Sequence, residues 1–306
     1  MWYVARMEAQ GTPTKLEDVE ITHRFADLAE VRLHYAEAGR ASDPLVVLLH
    51  GFPEHWYSWR HQIPALARAG FRVIAPDMRG YNLSSKPEGV RAYRSRKLAQ
   101  DIVELVHAVG ATRARIVGHD WGGGVAWCVA MWHPDIVEQL AVLNCPHPLR
   151  MMRGFSSLGQ LKKSWYMFFF QLPMMPERAI ARHDFAFVRK VLRRDTVRRD
   201  AFSDEDIERY VEALSQPGAL TAMINYYRAM MQRDIFVEPR RMRRVDVPVL
   251  VVWGEQDSAL GSELATPPAR WVARARVERI PDASHWVQVD RPEVVNEQLL
   301  KFFREP

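Results

Sequence analysis

Short apolar runs recur along this chain, at Leu45–Leu49, Phe71–Ala75, Arg115–Val117, Ile136–Leu143, Val249–Trp253 and Val277–Ile280, with amphipathic helical patterns between them. Runs of this kind, with little polar alternation, read as strands buried on both faces, which form where helices cover both sides of a parallel sheet. Two earlier alternating segments, near Val19–His23 and Val31–Ala36, predict an antiparallel edge ahead of the parallel part. The order predicts an α/β fold with a mostly parallel central sheet flanked by helices. From about Cys145 to Phe236 the strand signals stop, and helical patterns broken at Pro173, Pro176 and Pro217 take over. We therefore expect a core of residues 1–144 and 236–306 and a helical cap over 145–235. Ligands of open α/β sheets bind beyond the carboxyl ends of the strands, where such an insertion can act as a lid.

Composition narrows the function. With 306 residues the chain can bury a sizeable core. Its Arg-rich stretches, Arg193-Arg194, Arg198-Arg199 and Arg240-Arg241 with Arg243-Arg244, contribute to a formal charge of +5. Acidic residues are interspersed and no nucleic-acid motif accompanies them, so they read as solvated surface and no nucleic-acid partner is expected. The two cysteines, Cys128 and Cys145, form neither a disulfide framework nor a thiolate metal site. No metal and no cofactor is expected, and a cytoplasmic location fits the cysteine usage. The opening Met1-Trp2-Tyr3-Val4 lacks the apolar run of a secretory signal. The greasiest window, Trp165–Phe170, is far shorter than the roughly 20 residues that cross a bilayer, so no integral membrane segment is expected. The oligomeric state is left open between monomer and homodimer.

The chemistry is concentrated at Gly118-His119-Asp120-Trp121-Gly122-Gly123, which follows one predicted strand and opens a helix. A strand, sharp turn and helix with a nucleophile at the apex is the nucleophile-elbow pattern, here with Asp where Ser is usual. A bare Gly-x-Asp-x-Gly is more often a structural turn between strand and helix, and it is the other elements that reverse that preference here. The exchange of Ser for Asp selects the substrate. A carboxylate is already ionised at neutral pH, and its attack on saturated carbon leaves an ester whose own carbonyl water can then attack. A serine ether would offer no such exit. The expected electrophile is an epoxide or an alkyl halide. His50-Gly51-Phe52-Pro53 follows an earlier strand, where a loop can supply an oxyanion-hole donor; the backbone N–H groups of Phe52 and Trp121 are the candidates. Asp257 and His285 each lie just beyond a later predicted strand, which completes the order nucleophile, acid, histidine. Asp257 would orient His285, and His285 would take a proton from water. Glu255 is the competing acid.

In these residues the sequence resembles the soluble epoxide hydrolases of the α/β-hydrolase fold, most closely the vertebrate-type members. The matching stretches are HGFPEHWYSWRHQIPALA from His50, DMRGY from Asp77, GHDWGG from Gly118, VLNCPHP from Val142, SWYMFFFQLP from Ser164, INYYRAM from Ile224 and ASHWVQ from Ala283. The resemblance implies hydrolysis of an apolar epoxide to a vicinal diol, with two cap tyrosines that hold and protonate the epoxide oxygen. Tyr166 and Tyr227 match these positions, and Tyr226 is a possible substitute for the second. A phenol with pKa near 10 is protonated at neutral pH and can donate to the forming alkoxide. His50, Pro53, Trp165, Phe169, Gln171 and Trp286 are the expected pocket residues, and Phe168, Leu172 and Met174 add to the apolar character. Asn82 stands where the family usually has Gly after DMRGY; Asn tolerates left-handed backbone angles, so the turn is expected to survive. The first ~18 residues have no clear counterpart and are expected to be flexible or strapping. The rival readings are a haloalkane or haloacid dehalogenase, with Trp121 as an N–H donor to halide, and a ligand-binding protein that has lost turnover.

Overall fold

A computed structural model describes residues 14–232 and 242–305. Its strands are β1 (Thr14–Leu16), β2 (Val19–Asp27), β3 (Arg32–Ala38), β4 (Leu45–Leu49), β5 (Arg72–Pro76), β6 (Ala114–His119), β7 (Val137–Leu143), β8 (Val245–Gly254) and β9 (Val272–Ile280). They form one sheet in the order β1-β2-β3-β5-β4-β6-β7-β8-β9. β1, β2 and β3 pair antiparallel, as do β3 and β5, and every pairing from β5 through β9 is parallel. The chain leaves β4 for β5 on one side and returns to β6 on the other. That reversal opens a crevice above the carboxyl ends of β4 and β6.

The helices are α1 (Gln62–Arg68), α2 (Ser95–Ala108), α3 (Trp121–Trp132), α4 (Pro148–Gly154), α5 (Leu158–Lys163), α6 (Trp165–Phe169), α7 (Met175–Arg194), α8 (Asp204–Leu214), α9 (Ala219–Met230), α10 (Val287–Asp290) and α11 (Pro292–Arg304). Alternation within β4 splits the core into two layers. Val46 and Leu48 face Ile63 of α1 and Leu299 of α11, whereas Val47 and Leu49 face Ile102 of α2 and Val125 of α3. Nearly every residue of α3 is buried, as expected for a helix that is apolar on all sides. α4 to α9 all lie between β7 and β8. Pro176 occupies the first turn of α7, and Pro217 separates α8 from α9. α7 is interrupted where His183, Asp184 and Phe185 take positive φ of 50°, 55° and 55°.

Some sequence expectations shift in the structure. β8 starts at Val245 and β9 at Val272, ahead of the apolar runs, because Val272-Ala273-Arg274-Ala275-Arg276 puts charge on an outer strand that has one unpaired edge. Ile136 belongs to a 3-10 turn, Pro134–Ile136, that precedes β7. Within the first 18 residues, Thr14–Leu16 pairs with Val19–Ile21 as β1, and residues 1–13 lie outside the described residues. So do the expected boundary at 235/236 and the pair Arg240-Arg241.

Candidate active site

Asp120 sits between β6 and α3 with φ 49° and ψ −119°, a conformation that costs a non-glycine residue about 1–3 kcal/mol. Such strain persists only where the surroundings enforce it, and here they leave no alternative. α3 approaches β4 so closely at Gly122 that a methyl group there would collide with the Leu49 carbonyl. Gly51, at the end of β4, faces the Asp120 side chain with the same lack of room. The two glycines allow the β4 loop and the elbow to meet. The meeting places the Phe52 N–H 2.8 Å from Asp120 Oδ1, as a hydrogen-bond donor. Asp120 Oδ2 stays open, and the side chain is 16% accessible. Trp121 is the first residue of α3, where backbone N–H groups point out of the helix.

His285 follows β9 and faces this carboxylate. Its Nε2 lies 3.6 Å from Asp120 Oδ2, and its Nδ1 lies 2.7 Å from Asp257 Oδ2. Asp257 is fully paired: Oδ1 accepts from the N–H groups of Ala259 and Leu260 at 2.7 and 2.8 Å, and Oδ2 also accepts from Asn144 Nδ2 at 2.8 Å. Glu255, the alternative acid, is exposed and pairs with Arg279 at 3.3 Å. Burial alone would lower the pKa of His285, but the Asp257 and Asp120 carboxylates outweigh it and hold the imidazole well above its ordinary value. Burial alone would raise Asp120, yet its contact with His285, the charges of His285 and His119, and the Phe52 N–H keep it below the usual carboxylate range. The resting site therefore holds an ionised Asp120 beside a charged imidazole.

Asp120 opens into a pocket whose walls include Trp121, Cys145, Met151, Tyr166, Tyr227 and Leu260. The Tyr166 and Tyr227 rings stand 5.8 Å apart, centroid to centroid. Burial, and then the Asp120 charge, push both phenols well above their ordinary pKa, so both carry a proton at neutral pH. The Trp121 indole donates to the Tyr227 hydroxyl. Tyr226 is committed elsewhere, its hydroxyl donating to the Arg79 carbonyl at 2.6 Å. An ionised oxygen, a histidine held by a second carboxylate, an N–H donor and two phenols thus surround one apolar space. The arrangement can attack carbon, protonate a leaving oxygen and activate water.

The expected pocket residues are placed differently. Trp165 is 57% exposed, and Phe169 packs on it from the same helix. Helical periodicity turns Tyr166, Met167 and Phe170 inward and Trp165 and Phe168 outward, and the apolar run Trp165–Phe170 hides which face is which. Gln171 donates to the carbonyls of Met167 and Tyr227 at 2.9 and 3.2 Å and so ties α6 to α9, the helices that carry the tyrosines. His50 is fully buried behind the loop, accepting from the Met78 N–H at 3.0 Å. Pro53 is buried in the same loop, and Trp286 packs against His285 at 5.3 Å. Instead of these residues, Cys145, Pro146, Met151, Met167, Met230 and Leu260 line the cavity beside the reactive groups.

Sequence reasoning also missed a supporting layer. Asn144, at the carboxyl end of β7, holds Asp257 and accepts from the Gly254 N–H at 2.8 Å. Behind Asp120, buried Glu54 accepts from the Gly51 N–H at 3.2 Å and contacts His119 Nδ1 at 2.7 Å, and His119 Nε2 contacts the His285 carbonyl at 2.9 Å. A signal was available: Asn144 and Cys145 follow a predicted strand, the position already used to select Asp257 and His285. Asn82 keeps the turn after Asp77 with φ 40° and donates to Asp77 at 2.8 Å, an anchor that glycine would not supply.

Comparison with known proteins places these features. The model of the alpha/beta hydrolase fold family matches residues 44–292. The AB hydrolase superfamily protein YfhM of Bacillus subtilis (strain 168) is 41% identical over 283 residues, which cover 92% of this chain and 97% of that protein. Epoxide hydrolase 3 of Xenopus tropicalis is 40% identical over 281 residues, covering 90% of this chain and 75% of that protein. The crystal structure of Bacillus megaterium epoxide hydrolase in complex with an inhibitor matches with a TM-score of 0.85 at 30% identity, covering 92% of this chain and 100% of that one.

Proposed function

The chain belongs to the epoxide hydrolase family of the alpha/beta hydrolase fold, and on that premise we propose that it opens apolar epoxides to vicinal diols through an ester on Asp120. The observation that carries this reading is the approach of His285 and Asp120 within 3.6 Å beside a cavity that two protonated tyrosines also line. Asp120 Oδ2 attacks a ring carbon, the ring C–O bond breaks, and the departing oxygen takes a proton from Tyr166 or Tyr227. Esterification removes one of the two negative charges that hold the His285 pKa up, so the imidazolium gives its proton to the tyrosinate left by ring opening and, now neutral, can act as a base. His285 then takes a proton from water. The resulting hydroxide attacks the ester carbon, and the negative charge gathers on Oδ1 opposite the Phe52 N–H, with the Trp121 N–H as second donor. Such a donor contributes about 3–4 kcal/mol in comparable sites.

Collapse releases the diol with Oδ2 as its new oxygen. The proton on the new Asp120 carboxyl group passes to the leaving oxygen and His285 keeps the proton it took from water, which restores the resting site, so epoxide and water are consumed one for one. The helices between β7 and β8 form the cap that presents both phenols, and the apolar wall suits a substrate with an alkyl or aryl substituent. Incubation with styrene oxide and a panel of alkyl and aryl epoxides, assayed for diol, tests the activity. Diol formation that Asp120→Asn removes is the expected result. Halide release from alkyl halides without diol from any epoxide would overturn it in favour of a dehalogenase, and tight binding without turnover in favour of a binding protein.

A further inference from the structure

We propose that the outer face of the helical insertion is a docking surface for phospholipid membranes with anionic headgroups. Leu158, Trp165, Phe168, Leu172, Met174 and Met175 are between 41% and 78% exposed, and all lie on consecutive short elements from α5 to the first turn of α7. A monomeric soluble protein rarely shows so many large apolar side chains from one stretch without a partner. The surrounding charge identifies that partner. Between Arg150 and Asp200 the chain carries twelve Lys and Arg against four Asp and Glu; Arg189, Arg193 and Arg198 are engaged by Glu208, Asp204 and Asp200, and the surplus stays basic without them. Lys162, between Leu158 and Trp165, and Arg178, just beyond Met175, are exposed and have no carboxylate partner among the described residues. A second copy docked through a two-fold contact would set this basic surplus against itself. An anionic bilayer surface accepts both components, since apolar side chains enter the acyl boundary while Lys and Arg reach the headgroups. α6 carries Trp165 and Phe168 outward and Tyr166 and Met167 toward the cavity, so a docked molecule holds its cavity wall about one helix diameter, ~10 Å, from the lipid in which apolar compounds concentrate.

Flotation of the full chain with vesicles of phosphatidylcholine, with and without phosphatidylserine, tests the proposal without substrate, so its outcome is independent of the proposed reaction. The protein is expected to float with the serine-containing vesicles in low salt and to lose most of that binding near 1 M salt, where the screening length falls to about 3 Å. Lys162→Glu with Arg178→Glu is expected to reduce partitioning by about tenfold or more, and Phe168→Ser with Leu172→Ser to reduce it at every salt concentration, with thermal melting as the check on folding. If the apolar variant does not fold, the charge variant decides. Absence of flotation with anionic vesicles, or flotation of the charge variant equal to that of the original chain, would overturn the proposal. So would a dimer in sedimentation that Phe168→Ser converts to monomer while vesicles remain unbound.

Discussion

In the proposed reaction the Asp120 side chain serves two chemistries, and its two oxygens divide them. Oδ1 is held by Phe52 and would become the ester carbonyl, while Oδ2 would be the attacking atom. Removing the base should therefore separate the steps. His285→Gln is expected to permit attack and to leave the ester standing, visible by mass spectrometry as an adduct on the Asp120 peptide. Asp120→Asn should give no adduct, and an unmodified peptide in the His285 variant would refute a two-step course. In the same scheme the phenols act earlier. Replacing Tyr166 and Tyr227 together by Phe removes the acid but keeps the apolar wall, so kcat should fall by about a hundredfold or more while binding changes little. A double variant that keeps the full rate would exclude them as proton donors.

Elements determine whether these side chains can meet. The loop after β4 and the loop after β9 are joined behind the elbow by Glu54 and His119, both buried. Burial alone would raise the Glu54 pKa, and the adjacent His119 overcomes this, so the carboxylate stays ionised. Truncating one partner of such a buried pair strands the other, at a cost of about 3–5 kcal/mol. Glu54→Ala should therefore lower the urea midpoint clearly, and an unchanged midpoint would show that the pair contributes little. None of this layer was read from the sequence, although Glu54 and His119 stand inside the stretches HGFPEHW and GHDWGG. A lone buried Glu or His gives no periodic signal, and its partner is set by the fold. What could be read was what the backbone repeats: apolar runs for strands, the Gly-x-Asp-x-Gly turn, and acid and histidine each one step past a strand. Within the aromatic run the helical phase was ambiguous, so Trp165 and Phe169 were assigned to the cavity that Met151, Met167 and Met230 line in their place.

Across the whole molecule, buried histidines set the response to acid. His55 is held neutral with its pKa lowered to about 4 by burial, and His23, His61 and His147 are likewise lowered to about 4, burial being the largest cause in each. In the unfolded chain these groups titrate near 6.5, so between about pH 6.5 and 4 the unfolded state binds more protons and folding loses stability as pH falls. Two groups oppose this, Asp101, raised to about 6 by burial, between about pH 4 and 6, and His285, whose folded pKa is raised, above about pH 6.5, but the four histidines outnumber them. Urea midpoints should thus decline from pH 7.5 to 4.5, and a flat or rising trend would contradict the assignment. Turnover by the intact enzyme offers the most direct test of all. In heavy-oxygen water, with enzyme in excess over epoxide, the first diol released should be unlabelled and the label should be found in the Asp120 carboxyl group. A labelled first diol with an unlabelled Asp120 would mean that water attacks the epoxide directly and that no ester forms.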